Sequence, residues 1–125
     1  MRGLIEELIE AGSDIKIRVT HPKGGFFVRA YSGGKKVGQV AVNETLRAMQ
    51  VDRSIVLPEF RGQGLGRRLY RRAAEVACAK YDKPLGSNDY QSSPGAKGLW
   101  NSEVRAGHVE RVEGGFRYKC PVRFD

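Results

Sequence analysis

A glycine-rich loop is the part of this sequence best suited to binding chemistry. It reads Arg61-Gly62-Gln63-Gly64-Leu65-Gly66 and lies between a predicted strand and a predicted helix. Glycines let backbone N–H groups approach a bulky anion closely. The first turn of the following helix adds unpaired N–H groups and the positive end of the helix dipole. These residue types therefore predict a phosphate-binding site.

Arginines surround this loop and strengthen the same prediction. Arg61 precedes the first glycine, and Arg67 and Arg68 begin the helix. Guanidinium groups donate charge-assisted hydrogen bonds to phosphate oxygens. Residues 61–80 carry six basic residues against one acid, so they hold +5 of the net charge of +8. This concentration favours a pyrophosphate or a nucleic acid as partner, with a merely solvated helix face as the alternative.

Two common phosphate-binding motifs do not fit this loop. A dinucleotide-binding G-x-G-x-x-G motif would need its third glycine where Arg67 stands. The G-K-[ST] sequence of a Walker loop is absent. The loop therefore belongs to another class of phosphate site.

Hydrophobic periodicity predicts the elements that come before the loop. Residues 2–11 have the spacing of an amphipathic helix, and alternation with a period of two predicts four strands at 15–19, 26–31, 37–42 and 49–56. The Ser-Gly-Gly-Lys sequence predicts a hairpin between the second and third strands. In the fourth strand, strict alternation places Met49, Val51, Arg53 and Ile55 on one face and Gln50, Asp52, Ser54 and Val56 on the other.

The second half of the chain alternates helices and strands. The prediction is a helix to about residue 80, a strand at 85–88, a polar loop at 89–98, a helix at 99–106 and a hairpin at 108–112 and 116–123. On the first of these helices, Arg67, Arg68, Arg71 and Arg72 fall opposite the apolar arc. Three hairpin-linked strands before a strand–loop–helix unit indicate a mixed α/β fold.

Composition sets limits on the class of protein. The 125 residues suit a single domain spanning 1–125, and 40% hydrophobic residues suit a globular chain. No apolar run approaches the roughly 20 residues of a membrane-spanning helix, so no membrane partner is expected. Two cysteines are too few for a disulfide framework or a zinc site, so we expect no metal and a cytoplasmic location.

The loop and its surroundings resemble the acyl-CoA loop of the GNAT superfamily of N-acyltransferases. That family pattern is V-x-P-x-[FYW]-R-G running into [QR]-x-x-G-x-[GA], which stands here as Val56-Leu57-Pro58-Glu59-Phe60-Arg61-Gly62-Gln63-Gly64-Leu65-Gly66. A weaker likeness follows at Ser93, Ala96, Leu99, Trp100 and Gly107. The resemblance covers about residues 26–112. It implies a GNAT-like α/β fold, with a mixed, mostly antiparallel central sheet flanked by helices and a splayed strand pair at the coenzyme A cleft.

The resemblance also implies the cosubstrate, acetyl-CoA, and the residues that bind it. The pantetheine arm would pair with the strand backbone at Ser54, Ile55 and Val56. The pyrophosphate would lie on the loop and the helix start, whose residues are Arg61, Gly62, Gln63, Gly64, Leu65, Gly66, Arg67 and Arg68. An amine would then attack the thioester directly.

The proton-transfer residues are less determined by the resemblance. Deprotonation of the amine needs a base or a water chain, and Asp52 on the fourth strand is the first candidate, with Glu44 and His108 as alternatives. For the acid that protonates the leaving thiolate, the family often has a tyrosine where Trp100 stands. An indole cannot fill that role, so Tyr90, Glu103 and Tyr118 remain open as candidates.

Two functions of different classes follow from the sequence. The first is an N-acetyltransferase that transfers an acetyl group from acetyl-CoA to a primary amine, either a small amine or a protein lysine or N-terminus. The alternative is a non-catalytic GNAT-like protein whose basic helix binds nucleic acid or a protein partner.

Overall fold

The computed structural model describes residues 14–88 and 94–124. The predicted helix at residues 2–11 lies outside these described residues. Seven strands and two α-helices follow one another as β1 (Lys16–Thr20), β2 (Gly25–Ser32), β3 (Lys35–Glu44), β4 (Met49–Val56), α1 (Leu65–Tyr81), β5 (Leu85–Asn88), α2 (Pro94–Arg105), β6 (Val109–Val112) and β7 (Gly115–Tyr118). A 3-10 turn, Pro58–Phe60, separates β4 from the glycine-rich loop.

The strands form one seven-stranded sheet in the order β1-β2-β3-β4-β5-β7-β6. All neighbouring strands are antiparallel except β4 and β5, which are parallel. The predicted mixed and mostly antiparallel sheet is therefore confirmed. The parallel pair lies at the centre of the sheet, directly beside the predicted phosphate loop.

Most strands lie where periodicity placed them, and the differences have local causes. The second described helix begins at Pro94, inside the predicted polar loop, because proline is well suited to the first turn of a helix. The last strand ends at Tyr118 instead of residue 123. Gly107 follows α2 with a φ of +84°, as expected for a glycine that ends a helix.

A β-bulge in β4 corrects the predicted assignment of its two faces. Arg53 pairs with Ala41 and Val51 pairs with Val42, so Asp52 is an extra residue with no partner on β3. A bulge of this kind resets the alternation of side chains. Ser54 consequently lies on the same face as Val51, the face that α1 covers.

The core lies between the sheet and α1. This helix buries Leu65, Leu69, Tyr70, Ala73, Ala74, Val76 and Ala77 against β2, β3, β4 and β5. Trp100 of α2 is fully buried and contacts the rings of Tyr70, Phe116 and Tyr118. Because Trp100 lies against both α1 and β7, it holds α2 on the same face of the sheet as α1.

The two cysteines, Cys78 in α1 and Cys120 after β7, form a disulfide with a Cα–Cα distance of 5.7 Å. Two cysteines are too few for a disulfide framework, and this single bond was not anticipated from the sequence. The two residues are 42 positions apart, and they meet because the chain returns from β7 to the last turns of α1. None of the described helices is both long and apolar enough to cross a membrane.

A glycine at the start of β7 permits the close pairing of β7 with β5. A Cβ atom on Gly115 would lie 1.9 Å from the backbone oxygen of Ser87. We expect Gly115→Ala to lower the free energy of unfolding by about 1–3 kcal/mol, because the two strands would have to move apart. Urea-induced unfolding followed by circular dichroism measures the change.

The matched control is Gly98→Ala, at a position in α2 with open space around the glycine. Alanine in a helix interior is favoured over glycine by roughly 0.5–1 kcal/mol, so this variant should be as stable as the wild type or more stable. Equal stability of the two variants would contradict the close approach of β7 to β5.

Candidate active site

The parting of β4 from β5 creates the candidate site. Only Met49–Leu85 and Gln50–Gly86 are paired between the two strands. Beyond these pairs, the remaining residues of β4 have no strand partner on the β5 side within the described part of the chain. The backbone from Val51 to Val56 is therefore open to an extended ligand that pairs as a strand would.

A cleft of about 580 Å³ follows this open edge. Its described walls come from β3, β4, the glycine-rich loop, α1 and the start of α2, and consist of Gln39, Val40, Ser54, Ile55, Val56, Phe60, Arg61, Gly62, Gly64, Leu65, Gly66, Leu69, Tyr70, Gly95, Ala96 and Leu99. None of these residues is acidic. Most of the lining side chains are apolar, and the polar ones are those of Gln39, Ser54, Arg61 and Tyr70.

The backbone amides of the glycine-rich loop are available to a ligand. Gly62 and Gly64 have φ values of +78° and +80°, the left-handed region that favours glycine. Gly64 caps α1 without any side-chain hydrogen bond, and the first amide bonded within the helix is that of Arg68. Among the described residues, no amide from Gly62 to Arg67 has an acceptor. This arrangement fits a pyrophosphate at a helix N-terminus.

The structure separates the predicted binding residues into two groups. Eight of them line the cleft, namely Ser54, Ile55, Val56, Arg61, Gly62, Gly64, Leu65 and Gly66. Gln63, Arg67 and Arg68 do not line the cleft, although all three are exposed in the loop or in the first turn of α1. Arg61 Nε donates to the carbonyl oxygen of Val56 at 2.9 Å, which fixes this side chain at the end of β4.

Glu103 is buried in a polar cluster that joins α1, α2 and β7. Its carboxylate accepts two hydrogen bonds from Arg71, at 2.9 and 3.0 Å, and one from the hydroxyl of Tyr118 at 2.8 Å. Arg67 Nε lies 3.8 Å from the same carboxylate, and its Nη2 donates to Ser102 Oγ at 2.9 Å. The arginines of α1 therefore do not form one solvated surface, because two of them are turned toward α2.

Opposing effects act on the pKa values in this cluster. Burial would raise the pKa of Glu103, but the hydrogen bonds from Arg71 and Tyr118 outweigh it and hold the pKa below its usual value. The pKa of Tyr118 is strongly raised by burial and by its bond to the carboxylate. Glu103 is consequently ionised and Tyr118 protonated at neutral pH, so neither group is poised to exchange a proton there.

The described acid and base candidates do not come together in the cleft. Asp52 is exposed at the bulge, where β4 leaves β5, and it does not line the cleft. Glu44 is bound by Lys83 at 2.9 Å, and the ring of His108 packs against Phe124. Tyr90 lies outside the described residues, so its candidacy remains a prediction.

Tyr70 is a residue of the cleft that the sequence reasoning missed. It is 4% exposed, lines the cleft, and its hydroxyl lies 2.7 Å from Ser54 Oγ. The ring of Trp100 packs edge-on against it at 5.3 Å. The sequence did offer one signal: Tyr70 stands four residues before Ala74, on the buried face of the helix. That Ser54 is the hydrogen-bond partner of Tyr70 becomes apparent only once the bulge is known.

The buried carboxylate generates a stability prediction. We expect Glu103→Gln to lower the free energy of unfolding by about 3 kcal/mol at neutral pH, because Arg71 loses its charged partner. The pKa of Glu103 is lowered by folding from its usual value of 4.5, so its contribution is present above that pH and is lost as pH falls through the folded-state value. The difference between variant and wild type should therefore shrink in acid. Urea-induced unfolding of the variant and the wild type, at neutral pH and in acid, measures this difference.

The matched control is Glu75→Gln, which removes an exposed carboxylate 3.6 Å from Arg72 on the same helix. Exposed pairs of this kind contribute less than about 1 kcal/mol. If Glu103→Gln were no more destabilising than Glu75→Gln, the cluster would not hold α1, α2 and β7 together.

Comparison with known proteins agrees with this geometry. The model of the Acetyltransferase (GNAT) family matches residues 3–82, which is well over half of the chain. No curated protein matches the chain.

Several solved structures share the fold. Escherichia coli YhhK bound to coenzyme A has a TM-score of 0.59 and 14% identity, covering 79% of this chain and 74% of that one. The IAA acetyltransferase of Bacillus cereus has a TM-score of 0.60 and 17% identity, covering 82% of this chain and 95% of that one. The E. coli GNAT family N-acetyltransferase YhbS, in complex with CoA, has a TM-score of 0.57 and 18% identity, covering 83% and 79%. The shared fold and the family match together show that this chain belongs to the GNAT acetyltransferase family.

Proposed function

We propose that this protein is an N-acetyltransferase that transfers the acetyl group of acetyl-CoA to a primary amine. The observation that carries the proposal is the set of amides from Gly62 to Arg67, which have no acceptor among the described residues. They lie at the mouth of a cleft that is also bordered by the edge of β4 that no described strand covers. A diphosphate followed by an extended amide-containing arm matches both features.

In this proposal the protein holds acetyl-CoA mainly through its backbone. The pyrophosphate lies on the loop amides and the positive end of α1, with Arg61 beside it. The pantetheine amides pair with β4 at Ser54, Ile55 and Val56, where none of the described strands pairs with the β5-facing edge. Exposed Ile55 and half-buried Phe60 provide apolar surface along the same path.

The reaction is a direct attack by the amine nitrogen on the thioester carbon. The amine must first lose a proton, and we propose Asp52 as the base because the bulge places it where β4 and β5 part. A free amide of β4 would stabilise the oxyanion. Tyr90 remains a candidate for the acid that protonates the leaving thiolate. For Glu103 we propose a positioning role, because Arg71 and Tyr118 already occupy its carboxylate.

The acceptor is proposed only as a chemical class, a primary amine on a small molecule or a protein. The alternative of a nucleic-acid-binding helix is weakened by the contacts of Arg67 and Arg71 with Glu103 and Ser102, which turn half of the four-arginine set toward α2. The binding experiment below includes this alternative as an outcome.

Gly64→Glu should abolish acetyl-CoA binding, because a carboxylate at the helix start would repel the pyrophosphate and fill its place. Isothermal titration calorimetry with acetyl-CoA measures this, and we expect at least a 100-fold loss of affinity. The matched control is Gly34→Glu in the β2–β3 turn. Both glycines have φ near +80° and open space around them, so both substitutions carry the same charge and a similar backbone cost.

The control variant should bind acetyl-CoA as the wild type does. Equal binding by both variants would place the ligand elsewhere. A wild-type protein that fails to bind acetyl-CoA but binds DNA, with an affinity that falls steeply as salt rises, would support the non-catalytic alternative.

Asp52→Asn should lower kcat/KM by about 100-fold near pH 7 if this carboxylate deprotonates the amine. The defect should shrink as pH approaches the pKa of the free amine, about 10.4 for a lysine side chain, since a base is then no longer needed. Release of the CoA thiol with a panel of primary amines measures turnover. Asp82→Asn, at the far end of α1, is the control. A pH-independent defect would contradict the assignment.

A further inference from the structure

The polar groups of the cleft are unevenly distributed. Arg61 lies beside the loop, and the only hydroxyl groups among the described lining residues are those of Ser54 and Tyr70. Among the lining residues of β4 and α1, these two are the farthest along the chain from the loop. A ligand held by its diphosphate at the loop and extended back along β4 would approach this pair with the opposite end of its arm.

Three contacts or constraints hold the hydroxyl groups of Ser54 and Tyr70 in place: their own hydrogen bond, the ring of Trp100 and the bulge in β4. Ser54 belongs to β4 and Tyr70 to α1, and their oxygens lie 2.7 Å apart. The edge-on contact of Trp100 fixes the plane of the Tyr70 ring at 5.3 Å between centroids. The bulge at Asp52 turns Ser54 toward α1. Either oxygen can be the donor of this bond, so a serine hydroxyl that donates leaves the phenol proton free for a ligand.

We propose that Tyr70, positioned by Ser54, donates a hydrogen bond to the thioester sulfur of acetyl-CoA and stabilises the departing thiolate. This inference rests on the proposed function and names a residue that neither the sequence pattern nor the family match assigned. Tyr70 would thereby act on the leaving group from α1.

The pKa of the Tyr70 phenol suits a group that donates a hydrogen bond to the thiolate and keeps its proton. Burial raises the pKa of Tyr70, and the bond with Ser54 only partly offsets this. An alkyl thiol titrates at about 8.5. The phenol therefore keeps its proton beside a thiolate and offers it in a charge-assisted hydrogen bond.

The step balances without a proton transfer from Tyr70. The amine nitrogen forms a bond to the carbonyl carbon, and the carbon–sulfur bond breaks with its electron pair going to sulfur. The attacking nitrogen becomes positively charged, and its extra proton is taken up by a base or by water, so that the product amide keeps one N–H. The thiolate accepts the hydrogen bond from Tyr70 and later takes its own proton from water.

The test needs no acceptor amine. Calorimetry compares the affinities of CoA and of desulfo-CoA, which lacks the sulfur. The pH is set above the pKa of the free CoA thiol, so that the thiolate is the form that binds. Thiolate absorbance in the ultraviolet gives the pKa of the bound thiol. We expect the wild type to prefer CoA about tenfold over desulfo-CoA, and its bound thiol to have a pKa about one unit below that in Tyr70→Phe.

Tyr70→Phe should lose the preference for CoA while binding desulfo-CoA as the wild type does. The matched control is Tyr31→Phe, a tyrosine of β2 that does not line the cleft. This control should retain the preference and the lowered thiol pKa. Ser54→Ala, a substitution at an exposed position, should give intermediate values, and it keeps the proposal testable if Tyr70→Phe does not fold.

Each remaining outcome overturns the assignment. An unchanged thiol pKa in Tyr70→Phe would remove Tyr70 from the leaving group. Equal weakening of CoA and desulfo-CoA would place the pair against the pantetheine arm instead. Loss of the preference in Ser54→Ala alone would make Ser54 the donor. A wild type that binds neither compound would overturn the proposed function as well, which distinguishes the two failures.

Discussion

Among the described residues, two pairs join β4 to β5, and the site depends on the fact that this pairing does not continue along β4. A parallel strand pair that continued along β4 would satisfy its backbone and leave nothing for a ligand. The bulge at Asp52 lies just beyond the last pair and turns the rest of β4. The open edge then runs toward Pro58 and the glycine-rich loop. The same departure from regular pairing therefore creates the cleft, orients Ser54 and leads the chain to the helix start.

The helices must be held against this opened sheet by contacts other than strand pairing. Trp100 and the carboxylate of Glu103 supply them, one apolar and one ionic, on successive turns of α2. Arg71 connects Glu103 to α1, so the helix that begins at the phosphate loop is fixed at its middle by α2 and β7. The sequence suggested that the positive charge of the α1 arginines is available for a binding partner. Part of it is bound instead within the protein, because Arg67 and Arg71 contact α2.

Features encoded over short stretches of sequence were predictable, and features formed across the fold were not. The glycine-rich loop was found because its residues are contiguous, and the strands because alternation is local. The bulge at Asp52 depends on which residues of β3 face β4, which no periodicity records. The bond between Tyr70 and Ser54 follows from that bulge, and Arg71 meets Glu103 across 32 positions of sequence. The start of α2 at Pro94 was missed because small and polar residues there obscure the helical pattern.

The central claim is that the loop amides and the open edge of β4 bind coenzyme A through the backbone. The most direct test is a titration of CoA into ¹⁵N-labelled protein, followed by the amide resonances. The account predicts saturable shifts for Gly62 to Arg67 and for Ser54 to Val56, with Gly33 and Gly34 of the distant turn unchanged. Resonance shifts confined to the exposed side of α1, with the loop amide resonances unchanged, would contradict this claim.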